Sequence, residues 1–214
     1  MRALLGYDLY ALDLPGHGRS RGEGRSSIAD YTEFLSSFLE ALDLMHTTLV
    51  GHSMGGAIAQ HFAITHSSAV DRLILVGTGA RLRVLPSFLG GLLDDFESTV
   101  EMGLGYAYSA EASQELVDLA RQEWLANAPA VLHGDFLACD RFDVMDKLEE
   151  VCCPALVICG EEDQLTPVKY SRFLAERIVD ATLAVIPAAG HMVMLEQPEQ
   201  VNSAMQGFLA TKVK

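Results

Sequence analysis

The chain has 214 residues, 50% of them apolar and 21% charged, a balance that can bury a core and that excludes disorder. Fifteen Lys plus Arg against 29 Asp plus Glu leave a net charge of −14, a field that repels nucleic-acid phosphates and anionic lipid headgroups. The most apolar runs, residues 73–80 and 151–160, fall short of the roughly 20 residues a membrane helix needs, and the first ten residues carry no secretory signal pattern. The expectation is a cytoplasmic protein with neither nucleic acid nor membrane as a partner.

In chain order, residues 7–14 are short and apolar and run into Pro15-Gly16-His17-Gly18, which predicts a strand followed by a tight turn. From Ser27 the period changes to three and four, with Ile28, Tyr31, Phe34, Leu35, Phe38, Leu39 and Leu42 on one face. Ser27 serves as N-cap and Asp30 lies three residues on, so a helix is expected. A strand at 47–50, a small-residue helix at 54–65 and a strand at 72–76 follow. After a gap the alternation resumes with strand 155–159, helix 168–178, strand 182–186 and helix 198–209. Strands that read as continuous apolar runs suit a parallel sheet covered on both faces.

Between 80 and 150 no strand is visible, but Leu116, Val117, Ala120 and Trp124 keep a helical period. One domain is therefore expected, with residues 1–79 and 151–214 as an α/β core and 80–150 as a helical cap or lid. The stretch 82–93, interrupted by Pro86, Gly90 and Gly91, reads as a mobile lid or as packing against the sheet, the lid being favoured. Cys139, Cys152, Cys153 and Cys159 have neither zinc nor disulfide spacing and read as reduced core thiols.

Gly51-His52-Ser53-Met54-Gly55 falls between a predicted strand and a predicted helix, where Gly-x-Ser-x-Gly makes a sharp turn that exposes a serine hydroxyl. The pentapeptide alone is weak evidence. A serine needs a base, and among seven histidines His191 stands on a loop after a predicted strand, whereas His46, His61, His66 and His133 precede a strand, fall in or at the end of a helix, or lie in the insertion. An imidazole in turn needs a carboxylate. Asp163 ends the loop Gly160-Glu161-Glu162-Asp163 after another strand, with Glu161 and Glu162 as rivals and a solvated acidic turn as the bland reading.

Taken together, the segments Asp13-Leu14-Pro15-Gly16-His17-Gly18-Arg19-Ser20, Gly51-His52-Ser53-Met54-Gly55-Gly56, Gly160-Glu161-Glu162-Asp163 and Gly190-His191 resemble, in order, the signatures of the α/β-hydrolase family. The resemblance implies a mostly parallel sheet with helices on both faces and a helical cap. It implies Ser53 as nucleophile, His191 as base, Asp163 as acid and the Met54 backbone N–H as an oxyanion-hole donor. It implies a small-molecule ester as substrate, with no cofactor and no metal. A carbon-to-carbon bond hydrolase, a thioesterase and a perhydrolase share the same triad. A silent protein using the pocket only to bind a ligand or partner is the alternative from another class.

The chain departs from the family ahead of residue 8, where the family carries further strands and a His-Gly loop that supplies a second oxyanion donor. An N-terminally truncated fold is expected on that basis. The gap would be explained by a longer parent protein, by residues 8–14 pairing directly with 47–50, or by a second subunit of a homo-oligomer filling the sheet.

Overall fold

A computed structural model describes residues 6–211. Helix α1, Ile28–Ala41, starts where Ser27 takes an extended backbone and its hydroxyl accepts the Asp30 N–H at 3.1 Å, satisfying one orphan donor of the first turn. Strand β1, Thr47–His52, leads into helix α2, Met54–Thr65, and strand β2, Val70–Val76. Four helices follow: α3, Pro86–Asp94, α4, Phe96–Ala107, α5, Gln114–Leu125, and α6, Pro129–Arg141. Strand β3, Ala155–Gly160, helix α7, Val168–Arg177, strand β4, Ala181–Ile186, the one-turn helix α8, Val193–Glu196, and α9, Pro198–Ala210, complete the chain.

All three strand pairings are parallel, and the four strands stand in the sheet in chain order. Alternate residues serve opposite faces, as a pleated strand requires. Leu73, Leu75, Ala155 and Val157 pack with Ile58, Ala59 and Leu174 of α2 and α7, while Ile74, Val76, Leu156 and Ile158 pack with Val201, Met205 and Leu209 of α9. With both faces covered, every residue of β3 is buried, which is why that segment is apolar without alternation.

One expectation about the sheet is corrected here. Among the described residues, 7–14 form no strand and do not pair with β1. A groove of about 730 Å³, lined by both segments and by Leu35, Phe38, Ile58 and Met205, separates them. Ladder hydrogen bonds need backbones roughly 4.8 Å apart. The segment is instead held by its side chains: Tyr10 meets the Phe38 ring edge-on at 6.2 Å, and the Tyr7 hydroxyl donates to the Leu209 carbonyl at 3.2 Å. Within 82–93, residues 82–85 have no regular structure and Pro86 marks a boundary. Pro86 opens α3, where its missing N–H costs nothing, and both glycines lie inside that helix.

The run between β2 and β3 is closed at its neck by an antiparallel bridge between Arg81 and Asp143, and by Val144 N–H donating to the Ala80 carbonyl at 2.8 Å. Its last long helix is tied to the core by a small polar network. The Asp135 carboxylate of α6 meets His17 Nε2 at 2.8 Å and accepts the hydroxyl of the fully buried Tyr31 of α1. Cys139, Cys153 and Cys159 are buried, but Cys152 is exposed rather than a core thiol. No helix among the described residues is long and apolar enough to cross a membrane.

Candidate active site

Parallel strands deliver their C-terminal ends to one rim of the sheet, and the loops after β1, β3 and β4 carry Ser53, Asp163 and His191. Ser53 joins β1 to α2 with φ 52° and ψ −116°, a backbone that a residue with a side chain adopts only under strain. Its peptide is pinned on both sides: Ser53 N–H donates to the Val76 carbonyl at 2.9 Å, and the Thr78 hydroxyl donates to the Ser53 carbonyl at 2.8 Å. The turn is so tight that a Cβ on Gly51 would stand 2.2 Å from the Gly55 carbonyl oxygen, which explains the glycine there.

The Ser53 hydroxyl does not cap α2. Met54 is the first residue of that helix, so its N–H has no intrahelical acceptor, and the positive end of the helix dipole lies at the serine. Such a corner suits negative charge.

Asp163 is 4% exposed and saturated with donors. Its Oδ1 accepts the N–H groups of Leu165 and Thr166 at 2.9 and 2.8 Å. Its Oδ2 accepts the Thr166 hydroxyl at 2.7 Å and faces His191 Nδ1 at 2.9 Å. Burial alone would raise the carboxyl pKa, but the hydrogen bonds and charge of His191 and the Thr166 donors outweigh it and hold the group below its ordinary value. An ionised carboxylate only accepts, so the proton lies on Nδ1 and the Nε2 of His191 is left as the basic nitrogen. Glu161 and Glu162 are exposed, so of the three acidic candidates only Asp163 is turned inward.

The fold thus joins Asp163 to His191 directly and brings Ser53 to the same rim. Among the described residues the Ser53 hydroxyl makes no hydrogen bond, and neither does His191 Nε2. Three neighbours were not foreseen in the sequence. Thr166 lies three residues after Asp163, a spacing at which a hydroxyl and an N–H turn back on a carboxylate. His52 lies inside the pentapeptide, and its Nε2 donates to the His191 carbonyl at 3.0 Å. Glu196 stands on α8, five residues after His191. Only Thr166 carries a signal in its spacing; the other two depend on where backbone groups arrive in space.

A family model described as the α/β hydrolase fold matches residues 1–198. The chain belongs to the α/β-hydrolase family. Its four-stranded parallel sheet flanked by helices is that fold. The hydrolase superposes with a TM-score of 0.84 on the structure of a thermophilic esterase that is 40% identical, over 92% of this chain and 78% of that one. It is 28% identical to the pimeloyl-[acyl-carrier protein] methyl ester esterase of Pectobacterium carotovorum, over 94% of this chain and 84% of that protein. It is 29% identical to the (E)-2-((N-methylformamido)methylene)succinate hydrolase of Acinetobacter baylyi, over 96% of this chain and 81% of that protein. The groove beside β1 is not part of the rim: Ser53, Asp163 and His191 do not line it.

Proposed function

We propose that this α/β hydrolase cleaves small carboxylic esters through an acyl-enzyme on Ser53. The observation that carries the reading is the buried Asp163–His191 hydrogen bond on the rim where Ser53 takes its strained turn. The Ser53 hydroxyl attacks the ester carbonyl and gives its proton to His191 Nε2. Negative charge growing on the carbonyl oxygen is met by the Met54 N–H and the start of α2, and the imidazolium by Asp163. His191 returns the proton to the departing alcohol, then takes one from a water whose oxygen attacks the acyl carbonyl, and gives it to Ser53 Oγ as the acid leaves. The reaction requires no cofactor and no metal. The 40% identity to an esterase and the methyl ester esterase among the relatives support an ester as substrate.

Helices α3 to α6 act as the cap in this reading. The support is contact with the base loop: Met192 N–H donates to the Ala107 carbonyl of α4 at 3.1 Å, and Met192 packs against the buried cluster of Val100, Leu104, Ala107 and Tyr108. An apolar acyl or alcohol group would lie against such a surface.

Turnover of a short p-nitrophenyl ester by the wild type and by Ser53→Ala tests the proposal, together with labelling by a fluorophosphonate, which requires an activated serine. Loss of both in Ser53→Ala is expected. A wild type that neither turns over esters nor takes the label would leave a silent binding protein on a hydrolase frame.

A further inference from the structure

Residues 188–192 have no regular secondary structure, yet several of their backbone groups are tied to other parts of the fold. The Ala188 carbonyl accepts Gln197 Nε2 at 3.0 Å, and the Ala189 carbonyl accepts the Glu162 N–H at 2.9 Å. The His191 carbonyl accepts His52 Nε2 at 3.0 Å, and Met192 N–H donates to the Ala107 carbonyl at 3.1 Å. The Gly190 N–H, immediately before the base, donates to Glu196 Oε1 at 2.9 Å. The other oxygen of that carboxylate, Oε2, accepts the Ser109 N–H at 2.9 Å, two residues beyond the end of α4.

Glu196 is therefore shared between two backbones, the base loop and the segment after α4, which otherwise meet through the Met192 N–H on the Ala107 carbonyl. Their approach is close: a Cβ on Gly190 would stand 2.7 Å from both Ser109 N and the Tyr108 carbonyl carbon. Two N–H groups facing each other across such a gap repel unless an acceptor stands between them, and an ionised carboxylate with one oxygen for each is the strongest acceptor the side chains offer.

We propose that Glu196 is a positioning residue for His191: its carboxylate bridges the Gly190 and Ser109 N–H groups and so fixes the base loop to the end of α4. The inference rests on the reading of His191 as the base. Glu196 touches neither substrate nor reacting atoms; it acts through the backbone that carries the imidazole. Without it the loop retains the ties at the His191 carbonyl and Met192 N–H but loses the one on the residue before His191, and the ring shifts relative to Asp163 on one side and Ser53 on the other. Displacement of a catalytic group by about 1 Å costs on the order of a hundredfold in rate.

The test uses Glu196→Ala and Glu196→Gln, the latter keeping one acceptor oxygen and nearly the same shape. Rates are expressed per fluorophosphonate-reactive site so that misfolded molecules do not count. Glu196→Ala is expected to lower kcat by about 10- to 100-fold while KM for a short p-nitrophenyl ester changes by less than about threefold, with Glu196→Gln in between. The second readout needs no turnover: the downfield proton resonance of His191 Nδ1–H, which reports its bond to Asp163, moves upfield or disappears in Glu196→Ala. A kcat per reactive site equal to wild type, with that resonance unmoved and only thermal stability reduced, overturns the proposal. If wild type itself is neither active nor labelled, the serine-hydrolase reading fails on its own, and the resonance alone decides whether Glu196 positions His191.

Discussion

The imidazole of His52 donates from Nε2 to the carbonyl oxygen of His191 at 3.0 Å, and the two rings stand 4.6 Å apart, tilted by 52°. One histidine of the nucleophile turn thereby supports the backbone of the other. Burial, reinforced by the neighbouring His191, pushes the His52 pKa down to about 3. His52 is thus a neutral donor at pH values well below the ordinary histidine value of 6.5.

That depression has a consequence for acid stability. A histidine titrating near 6.5 when unfolded and near 3 when folded contributes stability that is complete above pH 6.5 and is lost as pH falls from there toward 3. Urea midpoints at pH 7 and pH 4.5 should therefore fall steeply for wild type. His52→Gln, which cannot titrate, should show a shallower fall over the same interval.

His17 behaves in the opposite sense. Its hydrogen bond to Asp135 raises its pKa above 6.5, against the lowering by burial. Its contribution is complete below pH 6.5 and is lost as pH rises through the folded value. Asp135→Asn should remove that loss, so that stability no longer declines from about pH 6.5 upward. It should also cost about 1 to 3 kcal/mol at pH 6, because Asp135 serves the Tyr31 hydroxyl as well.

Thr166→Val keeps the shape of the side chain and removes the hydroxyl that donates to Asp163 Oδ2. Asp163 then loses one of the donors that hold its pKa down, and Nδ1 of His191 faces a less fixed partner. A fall in kcat of about tenfold is expected for a short ester, with most of it restored in Thr166→Ser. Equal rates for Thr166→Val and wild type would remove the hydroxyl from the mechanism.

Strain at Ser53 gives a prediction of opposite sign for stability and activity. At φ 52° and ψ −116° a glycine is unstrained, so Ser53→Gly should gain on the order of 1 kcal/mol in thermal or urea unfolding while abolishing ester turnover. A destabilised Ser53→Gly would mean that the serine side chain contributes contacts outweighing its backbone cost.

The strands at 72–76 and 155–159 were legible because apolar, β-branched runs buried on both faces have few other places to go, and those at 47–50 and 182–186, less buried, because short apolar runs between helical periods fit the same alternation. Their ends were less so: β1 runs on to His52 and β3 to Gly160, since pairing with a neighbour, not side-chain type, decides where a strand stops. Residues 7–14 are also short and mostly apolar yet form no strand, because composition cannot say whether a partner backbone lies within reach. In the site, spacing singled out the loops of Ser53, Asp163 and His191 and favoured Asp163, with Glu161 and Glu162 still rivals. The inward turn closed by Thr166 separates them. His52 and Glu196 were invisible because both act on main-chain atoms remote in the chain, and any sequence carries such atoms everywhere.

The close approaches at Gly51 and Gly190 bear on how such a protein diversifies. At both positions backbone meets backbone with no gap for even a methyl group, so neither the elbow nor the base loop can acquire new side chains to meet a new substrate. Novel specificity has to be written elsewhere, and the exposed Leu85, Leu93, Met102 and Tyr106 of the helical segment are free to vary at little energetic cost. In a saturation library the two glycines should stand as fixed points, surrounded by a segment whose composition drifts.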